Sequence, residues 1–168
     1  FSDAFSYKFI GRGYVLGIPW PVILMIIFFA IAFVILNKTP FGRKTYAIGG
    51  NEKASFISGI KTDSVKIKIY AISGFLAAMA GLILTSRLNS AQPTAGTAYE
   101  MDAIAAVVLG GISMSGGKGS IAGTLVGALI LGTLNNGLNM LGVSSFYQQI
   151  VKGIVILIAV LIDRKRNK

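Results

Sequence analysis

Residues 18–36 read IPWPVILMIIFFAIAFVIL, an apolar run that contains no charged side chain. As a helix, this run would be roughly 28 Å long, which nearly matches the ~30 Å hydrocarbon core of a membrane. Pro19 and Pro21 lie in its first turn, where a missing backbone N–H costs least, and Trp20 is typical of a membrane interface. The run therefore predicts a transmembrane helix and makes lipid the solvent of the fold.

Composition extends this interpretation to the whole chain. Hydrophobic residues make up 54% and charged residues 13%, with a mean hydropathy of +0.71, whereas soluble domains carry about 25% charged residues. There is no cysteine and no histidine, which excludes disulfides and thiolate metal sites and removes the commonest general base. The basic residues that give the net charge of +10 lie between and after the apolar runs, so we expect no nucleic-acid binding. We also expect no metal or cofactor site.

The segment 37–68 decides the orientation of the chain. It carries seven lysines and arginines against Glu52 and Asp63, and by the positive-inside rule it faces the cytoplasm, which leaves Phe1 to Gly17 outside. A short surface helix is expected over residues 52–60. Residues that favour turns in this segment are Pro40, Gly42, Gly49 and Gly50.

Further crossings follow from the apolar runs 69–85, 121–141 and 146–162. The run 69–85 returns to an outer loop at 90–97, and the basic residues after position 163 place the C-terminus in the cytoplasm. An odd number of crossings must therefore follow the outer loop, so the weaker segment 100–115 is predicted to cross as well. The expected class is an all-α integral membrane protein, a polytopic helical bundle of about five transmembrane segments.

Small and polar residues mark one side of the fourth segment. Gly119, Gly123 and Gly127 form a G-x-x-x-G-x-x-x-G face that predicts close helix packing, within the bundle or in a dimer. Deeper in the same segment, three amides need partners in an apolar surrounding. They either form interhelical hydrogen bonds or line a path for a hydroxyl-rich solute. The amides are Asn135, Asn136 and Asn139.

We interpret the charged residues of the later segments as structural and not as catalytic. Glu100 and Asp102 begin the third segment, where carboxylates favour a helix N-terminus. Lys152 lies about two turns inside the last segment, and we expect it to extend to the interface unless it lines a polar pathway. No acid–base partner and no G-x-x-x-x-G-K-[ST] loop accompanies these residues, so we expect no catalytic residue and no ATP hydrolysis by this chain.

Three stretches carry a family resemblance, namely GGNEKASFISGI (49–60), SAQPTAGTAYEMDAIAAVVLGGISMSGGK (90–118) and GTLVGALILGTLNNGLNMLGVSSFYQQIVKG (123–153). Together they resemble the branched-chain amino acid, ribose and xylose type of ABC importer permeases, with the ribose permeases closely similar from Ile18 onward. The chain lacks the N-terminal spans of that family and begins without Met, so we interpret it as the C-terminal half of a permease with an importer permease fold.

The resemblance implies an ATP-driven importer of ribose in the bacterial cytoplasmic membrane. Its partners would be membrane lipid, a second permease subunit, two cytoplasmic ATP-binding subunits and a periplasmic or lipid-anchored sugar-binding protein. The stretch 49–60 resembles the coupling segment that docks on the ATPase, although only Ala54 and Gly59 match its E-A-A-x-x-x-G pattern. The implied coupling residues are Asn51, Glu52, Ala54, Ser58, Gly59 and Ile60.

Alternatives to a ribose importer remain open at the level of sequence. Within the family, the solute could be xylose, galactose or the autoinducer-2 signal, which composition does not separate. From a different class, a passive channel or a structural membrane subunit would need no coupling helix and would act without nucleotide. A membrane enzyme is disfavoured by the missing histidine and cysteine.

Overall fold

The structure is a computed structural model that describes residues 5–166, and within this range the chain forms eight helices and one short hairpin. The all-α class predicted from the sequence is confirmed. The last predicted tail residue, Lys168, lies outside the described residues. The elements are α1 (Phe5–Arg12), β1 (Tyr14–Val15), β2 (Ile18–Pro19), α2 (Trp20–Lys38), α3 (Pro40–Gly50), α4 (Glu52–Ile57), α5 (Thr62–Leu88), α6 (Tyr99–Leu109), α7 (Ile121–Met140) and α8 (Ser145–Arg166).

Within the described residues, three helices are long and apolar enough to cross a membrane: α2, α5 and α7. Helix α8 adds a shorter apolar stretch over Phe146–Ile158. Helix α2 begins at Trp20, two residues later than predicted, because Ile18 and Pro19 pair with Val15 and Tyr14 in the hairpin. Helix α5 begins at Thr62 and is roughly 40 Å long, so its first turns carry the lysines that were predicted to precede the span.

The third predicted segment is helical over only part of its length. Helix α6 has 11 residues and measures roughly 16 Å, about half of the hydrocarbon core. It ends at Leu109 because Gly110 and Gly111 follow, and Gly111 adopts a φ of 81° that a helix does not tolerate. The predicted crossing over 100–115 is therefore too long as a helix, and the count of five crossings stays a prediction.

The segment between α2 and α5 differs from its predicted form. Pro40, Gly42, Gly49 and Gly50 were expected in turns but lie in α3, where proline occupies the first helical position without loss of a hydrogen bond. Gly42 fits there because its missing side chain leaves room for the carbonyl of Leu36. The predicted helix 52–60 is shorter and ends at Ile57, two residues before Gly59 with its φ of 82°.

One compact unit comprises the described part of Phe1–Lys44 together with Phe56–Thr97. Here α1 packs against α2 and α5, and the backbone N–H of Gly11 donates a hydrogen bond of 2.9 Å to Oγ of the buried Ser86. The rings of Phe9 and Trp20 lie 5.4 Å apart. These contacts join the beginning of the chain to the end of α5.

A second unit comprises Thr45–Ser55 together with the chain from Ala98 onward. Helix α6 packs against both α7 and α8. The core of this unit contains the buried residues Ala105, Ala106 and Leu131, with Ile156 of α8 packed against them. The small side chains of α6 allow this close approach, because an alanine adds only a methyl group to the helix surface.

Candidate transport and coupling sites

The predicted glycine face lies against α6 and the loop that follows it. A Cβ atom on Gly123 would meet the carbonyl oxygen of Gly110, and a Cβ atom on Gly127 would meet that of Ala106. Gly119 precedes α7, and its Cβ position lies 2.6 Å from Cγ1 of Ile112. No side chain fits at these three positions without moving its neighbours, so the face serves a contact within the described chain.

The three amides of α7 have three different environments. Oδ1 of Asn139 accepts a hydrogen bond of 2.8 Å from Nε2 of Gln148, which also donates to the carbonyl of Val143. Asn136 is exposed. Oδ1 of Asn135 is buried, and no donor among the described residues reaches it. Asn139 thus has the interhelical partner expected from the sequence, whereas Oδ1 of Asn135 is a buried acceptor that needs a hydrogen-bond donor.

An ion pair joins α6 to α8. Nζ of Lys152 lies 2.7 Å from Oδ1 and 2.9 Å from Oδ2 of Asp102, and the two side chains are 18% and 27% exposed. Lys152 was expected to extend to the membrane interface unless it lines a polar pathway, and that position stays a prediction; in this structure its ammonium pairs with a carboxylate of α6. Asp102 also lies in the first turn of α6, where its charge favours the helix N-terminus as predicted.

The predicted coupling residues form a capped helix and the turn that ends it. Oδ1 of Asn51 accepts a hydrogen bond of 3.0 Å from the backbone N–H of Ala54, which caps α4. Glu52 occupies the first turn, where a negative charge is favourable. The backbone N–H of Gly59 donates to the carbonyl of Phe56. Ser58 is exposed, and Ile60 is half-buried.

Two apolar residues in this segment were not singled out from the sequence. The side chains of Phe56 and Ile57 at the end of α4 are 68% and 84% exposed. Their signal in the sequence is an adjacent apolar pair inside a strongly basic segment. The pair gives α4 an apolar tip that a protein surface can cover.

A cavity of about 660 Å³ lies in the first unit, beside the hairpin. Its lining includes Arg12, Tyr14, Pro21, Val22 and Arg87. Nε of Arg12 donates a hydrogen bond of 2.9 Å to the backbone carbonyl of Arg87, and both residues line the cavity. The sequence did not indicate that Arg12 and Arg87 share a cavity, because 75 residues separate them.

Comparison with known proteins defines the class. The family model described as the branched-chain amino acid transport system / permease component matches residues 1–160. The chain belongs to this permease family. No solved structure matches it.

Similar proteins of known name include two ribose permeases and a xylose permease. The ribose import permease protein of Bacillus subtilis (strain 168) is 69% identical over 163 residues, which is 97% of this chain and 51% of that protein. The ribose import permease protein of Escherichia coli (strain K12) is 59% identical over 166 residues, 99% of this chain and 51% of that protein. The xylose transport system permease protein of Escherichia coli (strain K12) is 47% identical over 147 residues, 88% of this chain and 37% of that protein. The chain thus spans about half the length of the ribose permeases that it matches.

Proposed function

We propose that this chain is part of the permease subunit of an ATP-driven importer that moves ribose into the bacterial cytoplasm. Identity to the ribose permeases is 59% and 69%, against 47% to a xylose permease, which favours ribose over xylose. The chain itself acts as a transport subunit, and a separate partner hydrolyses ATP.

The observation that carries an ATP-driven mechanism is helix α4 with its apolar tip. It is short, capped by Asn51, and flanked by basic residues between two membrane-length helices. Phe56 and Ile57 expose large apolar side chains at its end, and burial of such side chains against a partner contributes about 25 cal/mol per Å². A passive channel has no use for such a helix, whereas an ATP-driven permease needs a docking surface for its ATPase.

In this mechanism the coupling residues lie in a cleft of the cytoplasmic ATP-binding subunit. Asn51 and Glu52 stabilise the start of α4, and Ala54 keeps its surface small. Ser58, Gly59 and Ile60 form the turn that leads into α5. Nucleotide-driven closure of the ATPase moves α4, and the membrane helices follow. The C-terminal tail lies on the same cytoplasmic side, in accord with the positive-inside rule.

On the outer side, Arg12 and Arg87 present positive charge beside an open cavity. A sugar-binding protein that carries carboxylates on its surface would be attracted there, since complementary charge speeds the encounter of two proteins. A second permease subunit would complete the pathway between two copies. Of the three amides predicted to line the path, Asn136 is exposed and would face the passing sugar, whereas Asn139 is bonded to Gln148 and Oδ1 of Asn135 is buried. An amide exchanges hydrogen bonds with hydroxyl groups that lipid would leave unpaired.

The test is uptake of labelled ribose by proteoliposomes that contain the full-length permease, its ATPase and the sugar-binding protein. We expect uptake that requires all three components and that an excess of unlabelled ribose abolishes, while xylose and galactose compete weakly. Coupled uptake of xylose but not ribose would keep the mechanism and replace the substrate. Flux without the ATPase would contradict an ATP-driven importer and favour a channel.

A further inference from the structure

The coupling segment contacts the glycine-rich loop before α7 without intervening side chains. A Cβ atom on Gly49 would lie 2.8 Å from the backbone nitrogen of Gly117, and one on Gly116 would meet the carbonyl oxygen of Gly49. Oη of Tyr46 donates a hydrogen bond of 3.1 Å to the carbonyl of Gly119. We call this set the glycine contact: Tyr46, Gly49, Gly116, Gly117 and Gly119.

On the side of the ATPase, the glycine contact is joined to α4 through hydrogen bonds. The backbone N–H of Asn51 donates to the carbonyl of Ala47 in α3 at 3.0 Å, while the side chain of Asn51 caps α4. Ser55 of α4 is buried. A displacement of α4 is therefore transmitted to the end of α3 rather than absorbed by a flexible linker.

On the side of the membrane helices, the glycine loop is closed by its own hydrogen bonds. The backbone N–H of Ser113 donates to the carbonyl of Lys118 at 3.1 Å, and that of Gly116 donates to Ser113 at 3.0 Å. Ser120 follows at once and caps α7, with its Oγ accepting from the backbone N–H of Gly123 at 2.9 Å. The loop is thus connected to α7 by a hydrogen-bonded segment and not by a flexible one.

The division of the chain into compact units agrees with this path. Residues Thr45–Ser55 belong to the unit formed by α6, α7 and α8, and not to the unit of the helices that precede and follow them in sequence. Gly123 and Gly127 then hold α7 against α6. A push on α4 consequently reaches α6 and α7 through packed backbone.

We propose that the glycine contact is the joint through which ATP-driven movement of α4 reaches α6 and α7, and that Gly49 and Gly117 are positioning residues for coupling. The inference rests on the proposed function, since it presupposes an ATPase docked at α4. It adds a second element, the loop before α7, to the coupling apparatus. Two backbones in direct contact move together, whereas a layer of flexible side chains would yield.

Adjacent glycines provide the matched pair for the test. In Gly49→Ala the new methyl group would press on the backbone of Gly117, while in Gly50→Ala it would lie 4.0 Å from the Cα atom of Gly117, an ordinary contact. Both changes replace glycine by alanine at the end of the same helix, so their effects on helix propensity are alike. Each variant is made in the full-length permease, assembled with its ATPase and sugar-binding protein in proteoliposomes.

The readout is the number of ribose molecules imported per ATP hydrolysed. We expect the ratio to fall about tenfold in Gly49→Ala, the size of a typical coupling between sites, with ATP hydrolysis maintained and Gly50→Ala like the wild type. A wild-type ratio in Gly49→Ala would overturn the inference, as would an equal loss of uptake and hydrolysis. If Gly49→Ala does not assemble, Tyr46→Phe is measured instead: a fall of about threefold, from one lost hydrogen bond, supports the joint, and an unchanged ratio overturns it.

The wild type separates failure of this inference from failure of the proposed function. If the wild-type complex shows no ATP-dependent ribose uptake, the proposed function fails and the inference fails with it. If the wild type imports ribose and both glycine variants retain its ratio, only the role of the glycine contact is overturned.

Discussion

Nζ of Lys152 lies 2.7 Å from Oδ1 of Asp102, so two residues that are 50 positions apart form an ion pair between α8 and α6. Neither side chain is fully buried, since their exposures are 18% and 27%. The burial of the pair is therefore intermediate between that of a surface salt bridge and that of a buried one. Removal of one partner leaves the other charge partly buried and unpaired, which costs more than the pair itself contributes.

Loss of either member of this pair is expected to destabilise the helical bundle. For Lys152→Met or Asp102→Asn we predict a decrease of about 2 kcal/mol in the free energy of unfolding, between the values for exposed and buried pairs. The double variant Lys152→Met/Asp102→Asn should recover part of this loss. The measurement is the thermal unfolding of the purified permease in detergent. Glu100→Gln, at an exposed carboxylate of the same helix turn, is the control, and an equal effect there would contradict the assignment.

The contact of α7 with α6 predicts unequal effects at two glycines of one helix. In Gly127→Ala the methyl group would meet the carbonyl oxygen of Ala106, while in Gly132→Ala it would enter open space. We expect Gly127→Ala to lose about 2 kcal/mol through overpacking. Gly132→Ala should be neutral or slightly stabilising, because alanine favours a helix. Unfolding temperatures that shift by the same amount in both variants would refute the packing role of the glycine face.

The apolar tip of α4 predicts a specific loss of ATPase binding. Phe56→Asp places a charge where the proposed partner surface is apolar, and we expect the amount of ATPase that copurifies with the full-length permease to fall about tenfold, since 1.4 kcal/mol corresponds to that factor. Tyr14→Asp is the control because Tyr14 has the same exposure of 68% but lies in the hairpin. Retention of the ATPase by Phe56→Asp would show that α4 does not dock through this tip.

Under the proposed function, the two arginines beside the hairpin cavity predict a salt-sensitive association with the sugar-binding protein. In Arg87→Glu the concentration of binding protein that half-maximally stimulates ATP hydrolysis should rise about tenfold at low salt, because the steering charge is reversed. The difference from the wild type should shrink as salt screens the charges. Lys118→Glu, at an exposed position of the glycine loop, should leave this concentration unchanged. An effect of Arg87→Glu that persists undiminished at high salt would contradict electrostatic docking.

Long apolar runs determined the parts of the fold that the sequence predicted well. The runs 18–36 and 121–141 became α2 and α7 within two residues at each end, because lipid leaves a backbone no alternative to internal hydrogen bonds. The segment 100–115 was extended too far, since its crossing was inferred from charge parity and not from the local effect of Gly110 and Gly111. The hairpin was missed because its turn places Leu16 at a φ of 52°, a conformation that leucine seldom adopts.

Candidate site residues likewise differ in whether they depend on nearby or on distant positions in the sequence. The cap of α4 by Asn51 and the small-residue face of α7 depend on local spacing, which a sequence displays directly. The pair of Lys152 with Asp102 and the shared cavity of Arg12 and Arg87 depend on residues that are 50 and 75 positions apart. No periodic pattern records such distances, so only the three-dimensional arrangement reveals them.

ATP-driven import is measured as ribose uptake into proteoliposomes that hold the full-length permease, its ATPase and the sugar-binding protein, with ATP or a non-hydrolysable analogue supplied on the ATPase side. An ATP-driven importer should accumulate labelled ribose above its outside concentration with ATP and should accumulate none with the analogue. Equilibration of ribose to equal concentrations under both conditions would contradict ATP-driven import and identify a passive pathway.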